Sequence, residues 1–204
     1  MNVIEPSPTD DRRSLRRELR ARRRAIQGVA RKRAARELAT RVSAARLLRP
    51  GRRIGLYLSN SEEIETGPLL TLARERGCHI ALPRIASLRH DRMRFHQWTG
   101  VIRRGPFGIR EPLGGPALAP RELDVVFMPL VGFDAQGNRI GMGRGFYDRH
   151  FAHRRLLSRY RRPLLVGLAY DVQQVAALPR AAHDVPLDAI VTESSIRRFG
   201  RGGT

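Results

Sequence analysis

At 204 residues the chain has the length of one domain, enough to bury a sizeable core. Hydrophobic residues make up 41%, an ordinary share for a globular protein, and no apolar run approaches the length of a membrane span. The 39 basic residues outnumber 19 acidic ones, giving a formal charge of +20 with Lys32 as the only lysine; such a charge attracts polyanions of every kind, nucleic acid included, and identifies none of them.

Residues 1–9 carry two prolines and no pattern, and predict a disordered start. Residues 11–27 predict a helix, because Leu15, Leu19 and Ile26 recur at helical spacing. Arginines fill the rest of it, and a solvated helix face is the plain reading of most of them. Arg12 and Arg16 lie four apart on one face, where they could also reach a phosphate together. There is no apolar signal region, and Asp10, Asp11 and Glu18 interrupt the arginines as an organellar transit peptide does not, so a cytoplasmic location is expected. After Gly28 a second helix is predicted over residues 29–48, with Ala34, Leu38, Val42 and Ala45 on its apolar side.

Residues 53–59 alternate and predict a strand. Three glutamates, Glu62, Glu63 and Glu65, follow it directly. Loops at the carboxyl ends of strands are where open α/β sheets hold ligands, but a solvated loop ahead of a helix explains the same residues. Thr66 looks like the N-cap of a helix over residues 67–76. Gly77 ends it, and Cys78, the only cysteine, excludes an internal disulfide and a cysteine-based metal site. Short strands are predicted at residues 79–82 and 93–98. Residues 105–112 form a Gly/Pro-bounded segment around Phe107, and residues 113–120 a linker.

The stretch from residue 123 to 150 organises the chain. Val125, Val126, Phe127 and Met128 predict a buried strand closed by Pro129. A turn at residues 133–138 leads into Arg139, Ile140, Gly141, Met142, Gly143, Arg144, Gly145, Phe146, Tyr147 and Asp148. Three alternate glycines let successive backbone N–H groups point at one anion, and the helix predicted over residues 146–160 places them before a helix start. Asp148 could hold a magnesium ion bound to the same phosphates. A flexible loop is the bland alternative, and the spacing matches neither the Walker A loop nor the dinucleotide fingerprint. Arg139, Arg144 and Asp148 favour a nucleotide triphosphate. Residues 164–169 predict a buried strand and residues 189–192 a last short one, ahead of a loose Gly/Arg tail over residues 197–204. His150 and His153 fall on an ordinary helix surface, His183 in a surface loop, and no serine–histidine–acid arrangement stands out. Strands alternating with helices predict a three-layer α/β/α sandwich with a mostly parallel, Rossmann-like sheet, formed as one domain over residues 11–196.

These segments together resemble the 5-formyltetrahydrofolate cyclo-ligase (methenyltetrahydrofolate synthetase) family over nearly the whole chain. The resemblance rests on Ser14, Leu15 and Arg16; Tyr57, Leu58 and Ser59 with Glu63, Ile64, Glu65 and Thr66; Pro83 and Arg84; Phe107, Gly108 and Ile109 with Glu111 and Pro112. It continues through Asp124 to the loop ending in Tyr147 and Asp148, then Gly167, Tyr170, Gln173, Pro179, His183, Asp184 and Asp188. It implies an ATP- and magnesium-dependent ring closure of 5-formyltetrahydrofolate, free or carried as a polyglutamate, to 5,10-methenyltetrahydrofolate, with a monomer expected. It also implies roles. Arg12, Arg16 and residues 139–147 would bind ATP. Arg144 and Tyr147 would be catalytic, and Asp148 and Asp184 would hold Mg2+. Leu58, Glu63 and Phe107, together with Met142, Gly143, Arg144, Gly145 and Phe146, would contact the folate. Arg12 stands where the family often has lysine, and Phe146 where it often has tyrosine. Two rivals remain at this stage: a basic nucleic-acid binder without catalysis, and a phosphotransferase with another acceptor on the same scaffold.

Overall fold

The computed structural model describes residues 8–156 and 162–200. Of the disordered start expected over residues 1–9, residues 1–7 lie outside that range and residues 8 and 9 instead open a helix; the far end of the helix after Phe146 and residues 201–204 also lie outside it. In chain order the elements are α1 (Pro8–Arg24), α2 (Gly28–Ala44), β1 (Arg53–Gly55), α3 (Gly67–Glu75), β2 (His79–Ser87), β3 (Arg92–Gln97), β4 (Ile102–Arg104), β5 (Arg110–Pro112) and β6 (Ala117–Leu118). There follow β7 (Val125–Pro129), β8 (Gly132–Phe133), β9 (Arg139–Ile140), α4 (Phe146–His150), α5 (His153–Leu156), β10 (Leu164–Leu168), β11 (Ala189–Val191) and β12 (Ile196–Arg198).

One sheet of 8 strands runs in the order β12-β11-β10-β7-β1-β2-β3-β6. Strands β11, β10, β7, β1 and β2 are parallel, while β12, β3 and β6 join antiparallel at the two sides. The centre, β7, is buried along Val125, Val126, Phe127 and Met128, as a parallel strand covered on both faces requires. Its residues alternate between two cores. Val125 and Phe127 join Ile54, Val166 and Val191 under Leu38 and Val42 of α2 and Leu69 of α3. Val126 and Met128 join Leu165 and Ile190 on the opposite face, with Phe95, Phe151 and the ring of Phe146. Each fully buried aliphatic side chain there contributes about 1.5–3 kcal/mol. Gly55 lets these layers close: a Cβ there would lie 2.9 Å from Val126 and 3.0 Å from Phe95.

Strand β1 has β2 on one side and β7 on the other. The chain therefore leaves β1 in one direction and returns on its far side, and the carboxyl ends of β1 and β7 part around a crevice. Residues 56–66 and 130–146 border it. Helix α1 lies over this end, its Leu15 and Leu19 packed on Val131, Ile140, Val175 and Leu178 in a third, small core.

Several boundaries differ from expectation, each for a visible reason. Strand β2 runs on through Pro83 to Ser87, because β1 ends opposite Ala81 and leaves that side of β2 without a ladder that would need the missing N–H. Strand β1 stops at Gly55, and Thr66 is not a side-chain N-cap: its hydroxyl donates to the Tyr57 carbonyl and accepts from the Ser59 N–H, folding the chain after β1 into a loop. The helix after Gly145 is two short pieces, α4 and α5. Part of the linker pairs with β3 as β6, and the start of the tail pairs with β11 as β12. His150 is not a surface residue; its ring lies 5.5 Å from Phe95 and 4.7 Å from Phe151.

Candidate active site

The crevice is walled by α1, and one carboxylate fixes that helix. Glu62, in the loop after β1, accepts from Arg20 at 2.9 and 3.0 Å, from Arg23 at 3.0 Å and from Arg24 at 2.8 Å. Arg23 is 2% exposed and also donates to the Leu130 carbonyl beyond β7, so it ties α1 to both sides of the crevice. Hydrogen bonds from Arg20 lead the cluster of charges that brings Glu62 down to about 2. These arginines thus depart from the solvated face the sequence suggested. Next to Glu62, Asn60 and Glu63 cap each other: Asn60 Oδ1 accepts the Glu63 N–H at 3.1 Å, and Glu63 Oε2 accepts the Asn60 N–H at 3.0 Å.

The loop expected to bind phosphate hangs from the β8–β9 hairpin. Asp134 shapes that turn by accepting from the Gln136, Asn138 and Leu178 N–H groups and from Asn138 Nδ2. Gly143 (φ 103°) and Gly145 (φ 64°) then occupy left-handed backbone, which side-chain-bearing residues rarely adopt. Arg16 Nε donates to the Gly141 carbonyl at 3.0 Å, and Arg12 Nη1 donates to Asp184 Oδ2 and the Pro179 carbonyl, both at 3.1 Å. The two arginines that share a face of α1 therefore do meet the loop and Asp184. Helix α4 has five residues, too few for a strong dipole, so the loop's own N–H groups carry more of any anion affinity than the sequence pattern implied.

Asp91, Gly143, Arg144, Gly145, Asp148, Arg149, Ala152 and His183 enclose a cavity of about 300 Å3. Arg139, expected at the phosphates, is buried and donates to Asp148 Oδ1 at 2.6 Å. Arg144 donates to Asp91 at 2.7 Å and stacks over the Phe107 ring at 4.6 Å. A larger cavity of about 750 Å3 shares Arg149 with the first, and its wall carries Arg84, Arg92 and Arg94.

On the β1 side, Glu63, Tyr57 and Tyr147 form a polar cluster. Burial holds the Glu63 carboxyl above its ordinary range, with Glu62 adding and Asn60 and Arg23 opposing. Burial first and the Glu63 charge second push both phenols up. The Tyr57 hydroxyl is buried and has no partner among the described residues. Tyr147 connects the cluster to the glycine loop, since it lies between Gly145 and Asp148. Leu58 is half-buried against the first core, Phe146 packs on the second, and Met142 and Phe107 are exposed.

A magnesium ion asks for hard oxygen donors, one or two from carboxylates and the rest from phosphate and water. Asp148 Oδ2 has no donor among the described residues, while Oδ1 is held by Arg139 and the Val185 N–H. Asp184, the residue before Val185, spends Oδ2 on Arg12 and the Ala181 N–H. Asp148 thus keeps Oδ2 outside those bonds, and Asp184 keeps Oδ1, which faces His183 Nε2 at 3.7 Å; both oxygens fit the donor set. No group of three or more His, Cys, Asp or Glu side chains suited to a metal occurs among the described residues.

The structure therefore brings Arg12, Arg16, residues 141–145, Asp148 and Asp184 into one neighbourhood and Glu63 and Tyr147 into the next, while Leu58 packs on the first core. Glu62, Tyr57, Asp91 and Arg149 complete the surroundings; the sequence pointed to Glu62 only as one of three loop glutamates and to Tyr57 only within the family resemblance, and to Asp91 and Arg149 not at all. Glu62 had a readable signal, as Arg20, Arg23 and Arg24 are spaced to converge on one acid. Asp91 had none, being one polar residue of a hairpin tip.

Known proteins resemble this chain along most of its length. The family model of the 5-formyltetrahydrofolate cyclo-ligase family matches residues 8–193. A 5-formyltetrahydrofolate cyclo-ligase of Haemophilus influenzae is 38% identical over 143 residues, covering 68% of this chain and 74% of that protein. The one from Mus musculus is 30% identical over 192 residues, covering 90% and 94%. The solution structure of Aquifex aeolicus 5,10-methenyltetrahydrofolate synthetase superposes with a TM-score of 0.79 at 27% identity, covering 95% of each chain.

Proposed function

The chain belongs to the 5-formyltetrahydrofolate cyclo-ligase family, and from that premise we propose how its own residues carry out the ring closure. The reaction is 5-formyltetrahydrofolate plus ATP to 5,10-methenyltetrahydrofolate, ADP and phosphate. The formyl oxygen attacks the γ-phosphorus as the bond to ADP breaks. The folate nitrogen N10 then attacks the activated formyl carbon, and the phosphorylated oxygen leaves as phosphate. A formamide oxygen leaves poorly until it is phosphorylated, so the enzyme needs no protein nucleophile. It needs fixed donors around the phosphoryl group as charge moves.

The N–H groups of residues 141–145 cradle the phosphates, with Gly143 and Gly145 supplying the left-handed turns. Arg144, at the cavity wall, stabilises the transferring group. Arg12 and Arg16 close the loop from α1, and Arg139 orients Asp148 from below. Asp148 and Asp184 are the residues that would hold Mg2+, which when bound neutralises phosphate charge. Glu63 accepts hydrogen bonds from the pterin edge; its burial beside Tyr57 and Tyr147 makes an accepted bond strong. Leu58 and Phe107 line the path of the folate, and Met142 and Phe146 flank it.

The observation that carries this reading is the position of Tyr147. It joins the Glu63 cluster to the loop of the phosphate cavity, so the formyl group and the γ-phosphate have adjoining places. The test is formation of the methenyl chromophore with 5-formyltetrahydrofolate, ATP and magnesium, each omitted in turn. Product only with all three supports the full reading. ATP hydrolysis without product points to another acceptor on this scaffold. Neither binding nor turnover of ATP removes the phosphate-loop assignment.

A further inference from the structure

Two segments meet at the guanidinium of Arg144, and both do so through strained backbone. Asp91 (φ 46°) sits at the tip of the β2–β3 hairpin and Phe107 (φ 58°) in the short turn of residues 106–108. Among the described residues only Arg46 shares their left-handed conformation without being glycine. Such positions persist where surrounding contacts hold them, and they concentrate at functional sites. Here both residues touch the same side chain: Asp91 Oδ1 accepts from Arg144 Nη1 at 2.7 Å, and the Phe107 ring lies 4.6 Å from the Arg144 guanidinium carbon.

Arg149 makes the arrangement rigid. Its Nε donates to the Asp91 carbonyl at 3.3 Å, its Nη2 donates to the carbonyl of Arg144, and the same Nη2 forms an ion pair with Asp91 Oδ2 at 3.1 Å. It therefore ties the main chain of the hairpin tip to the main chain of the glycine loop. Arg144, by contrast, commits a single nitrogen. Its Nε and Nη2 donors have no hydrogen-bond partner among the described residues, and Arg144 lines the phosphate cavity. A guanidinium held at one end and open at the other needs little rearrangement when a charged group arrives.

We propose that Asp91 is a positioning residue of the phosphoryl step: with Arg149 it clasps the β2–β3 hairpin to the glycine loop and holds Arg144 with its remaining donors free for the transferring group. This rests on the reading of Arg144 given above. A carboxylate at the rim of an anion cavity would repel phosphate if it were bare, and the two arginines neutralise it.

The test is steady-state formation of the methenyl product by Asp91→Asn, Arg144→Ala and the double variant, with thermal melting of each. Asparagine tolerates left-handed backbone and keeps the shape while losing the charge. Asp91→Asn is expected to lower kcat about tenfold or more with the folate KM moved less than about twofold, and to add nothing in the Arg144→Ala background. Asp91→Gly, which keeps the backbone and removes the clasp, should repeat the kcat loss if the asparagine variant melts early. Unchanged kcat in both Asp91 variants, a loss of equal size in the Arg144→Ala background, or faster turnover would overturn the clasp while leaving Arg144 in its role. Full activity of Arg144→Ala would instead remove the role of Arg144, and the clasp with it.

Discussion

Arg139 Nη2 meets Asp148 Oδ1 at 2.6 Å, and the two side chains are only 5% and 12% exposed. The Val185 N–H reaches the same oxygen at 3.0 Å, so one edge of the carboxylate is anchored and the other is left for a ligand. Asp148→Asn can keep its oxygen on these anchors and present an amide N–H where the second oxygen stood. We expect turnover to fall at least about 100-fold and the magnesium dependence of ATP binding to vanish in calorimetry. Because the buried Arg139 loses its counter-charge, stability should also fall, by about 2–4 kcal/mol in urea unfolding. Retained magnesium dependence would remove Asp148 from the metal site.

Glu63→Gln should raise the folate KM about tenfold and the ATP KM less than about threefold, since an amide makes a weaker acceptor than a carboxylate. The acid limb gives a second readout. The Glu63 carboxyl is held above its ordinary value of 4.5, so it loses its charge at a higher pH than an exposed glutamate. Folate affinity of the parent protein should fall as pH drops through that raised value, and the glutamine variant should lack the fall. Equal losses for both ligands would place Glu63 elsewhere.

Glu62 shifts in the opposite direction, from 4.5 to about 2. Its folded form releases the proton more readily than its unfolded form, so the associated stability is complete above about pH 4.5 and fades as pH falls toward 2. The contribution is about 1–3 kcal/mol after allowance for solvent at the open side of the cluster. Glu62→Gln should flatten the acid limb of a stability-against-pH curve. It should also raise the ATP KM, because α1 carries Arg12 and Arg16. An unaltered ATP KM would show that α1 stays docked without Glu62.

Gly143→Ala separates backbone strain from crowding. A Cβ there meets nothing nearer than 3.9 Å, yet φ is 103°. The cost of about 1–2 kcal/mol for a side chain in such a conformation falls on the loop and not on the core. We expect an ATP KM raised about tenfold with the melting temperature little changed. A large drop in melting temperature with normal ATP affinity would contradict this.

The buried centre of the fold was legible from residues alone. Val125 to Met128 could be nothing but a covered strand, and the helical spacing of Leu38 and Val42 announced the face they bury. Edges were harder, because they depend on neighbours that pattern does not reveal. Pro83 looked like a strand terminus until β1 was seen to stop opposite Ala81. Thr66 had the chemistry of a cap but spends its hydroxyl on Tyr57. The glycine loop announced itself by spacing, and the roles around it came from resemblance. What escaped the sequence was the partner of each charge. Arg139, expected at the phosphates, is the support of Asp148; Asp91, which carries no motif, holds two arginines. Such pairings join distant segments, so they become visible only with the fold.

Arg12 reaches across 172 positions to Asp184, and Arg16 across 125 to Gly141. Glu62 lies only 38 to 42 positions from the arginines it collects. On the ribosome these distances become an order of events. Helix α1 can dock on the loop after β1 early in synthesis, while the contacts of Arg12 and Arg16 with Asp184 and Gly141 close only once Asp184 has emerged. A ligand stabilises only a state that binds it, so any ligand held between these segments would favour the finished fold and give no such help to the growing chain.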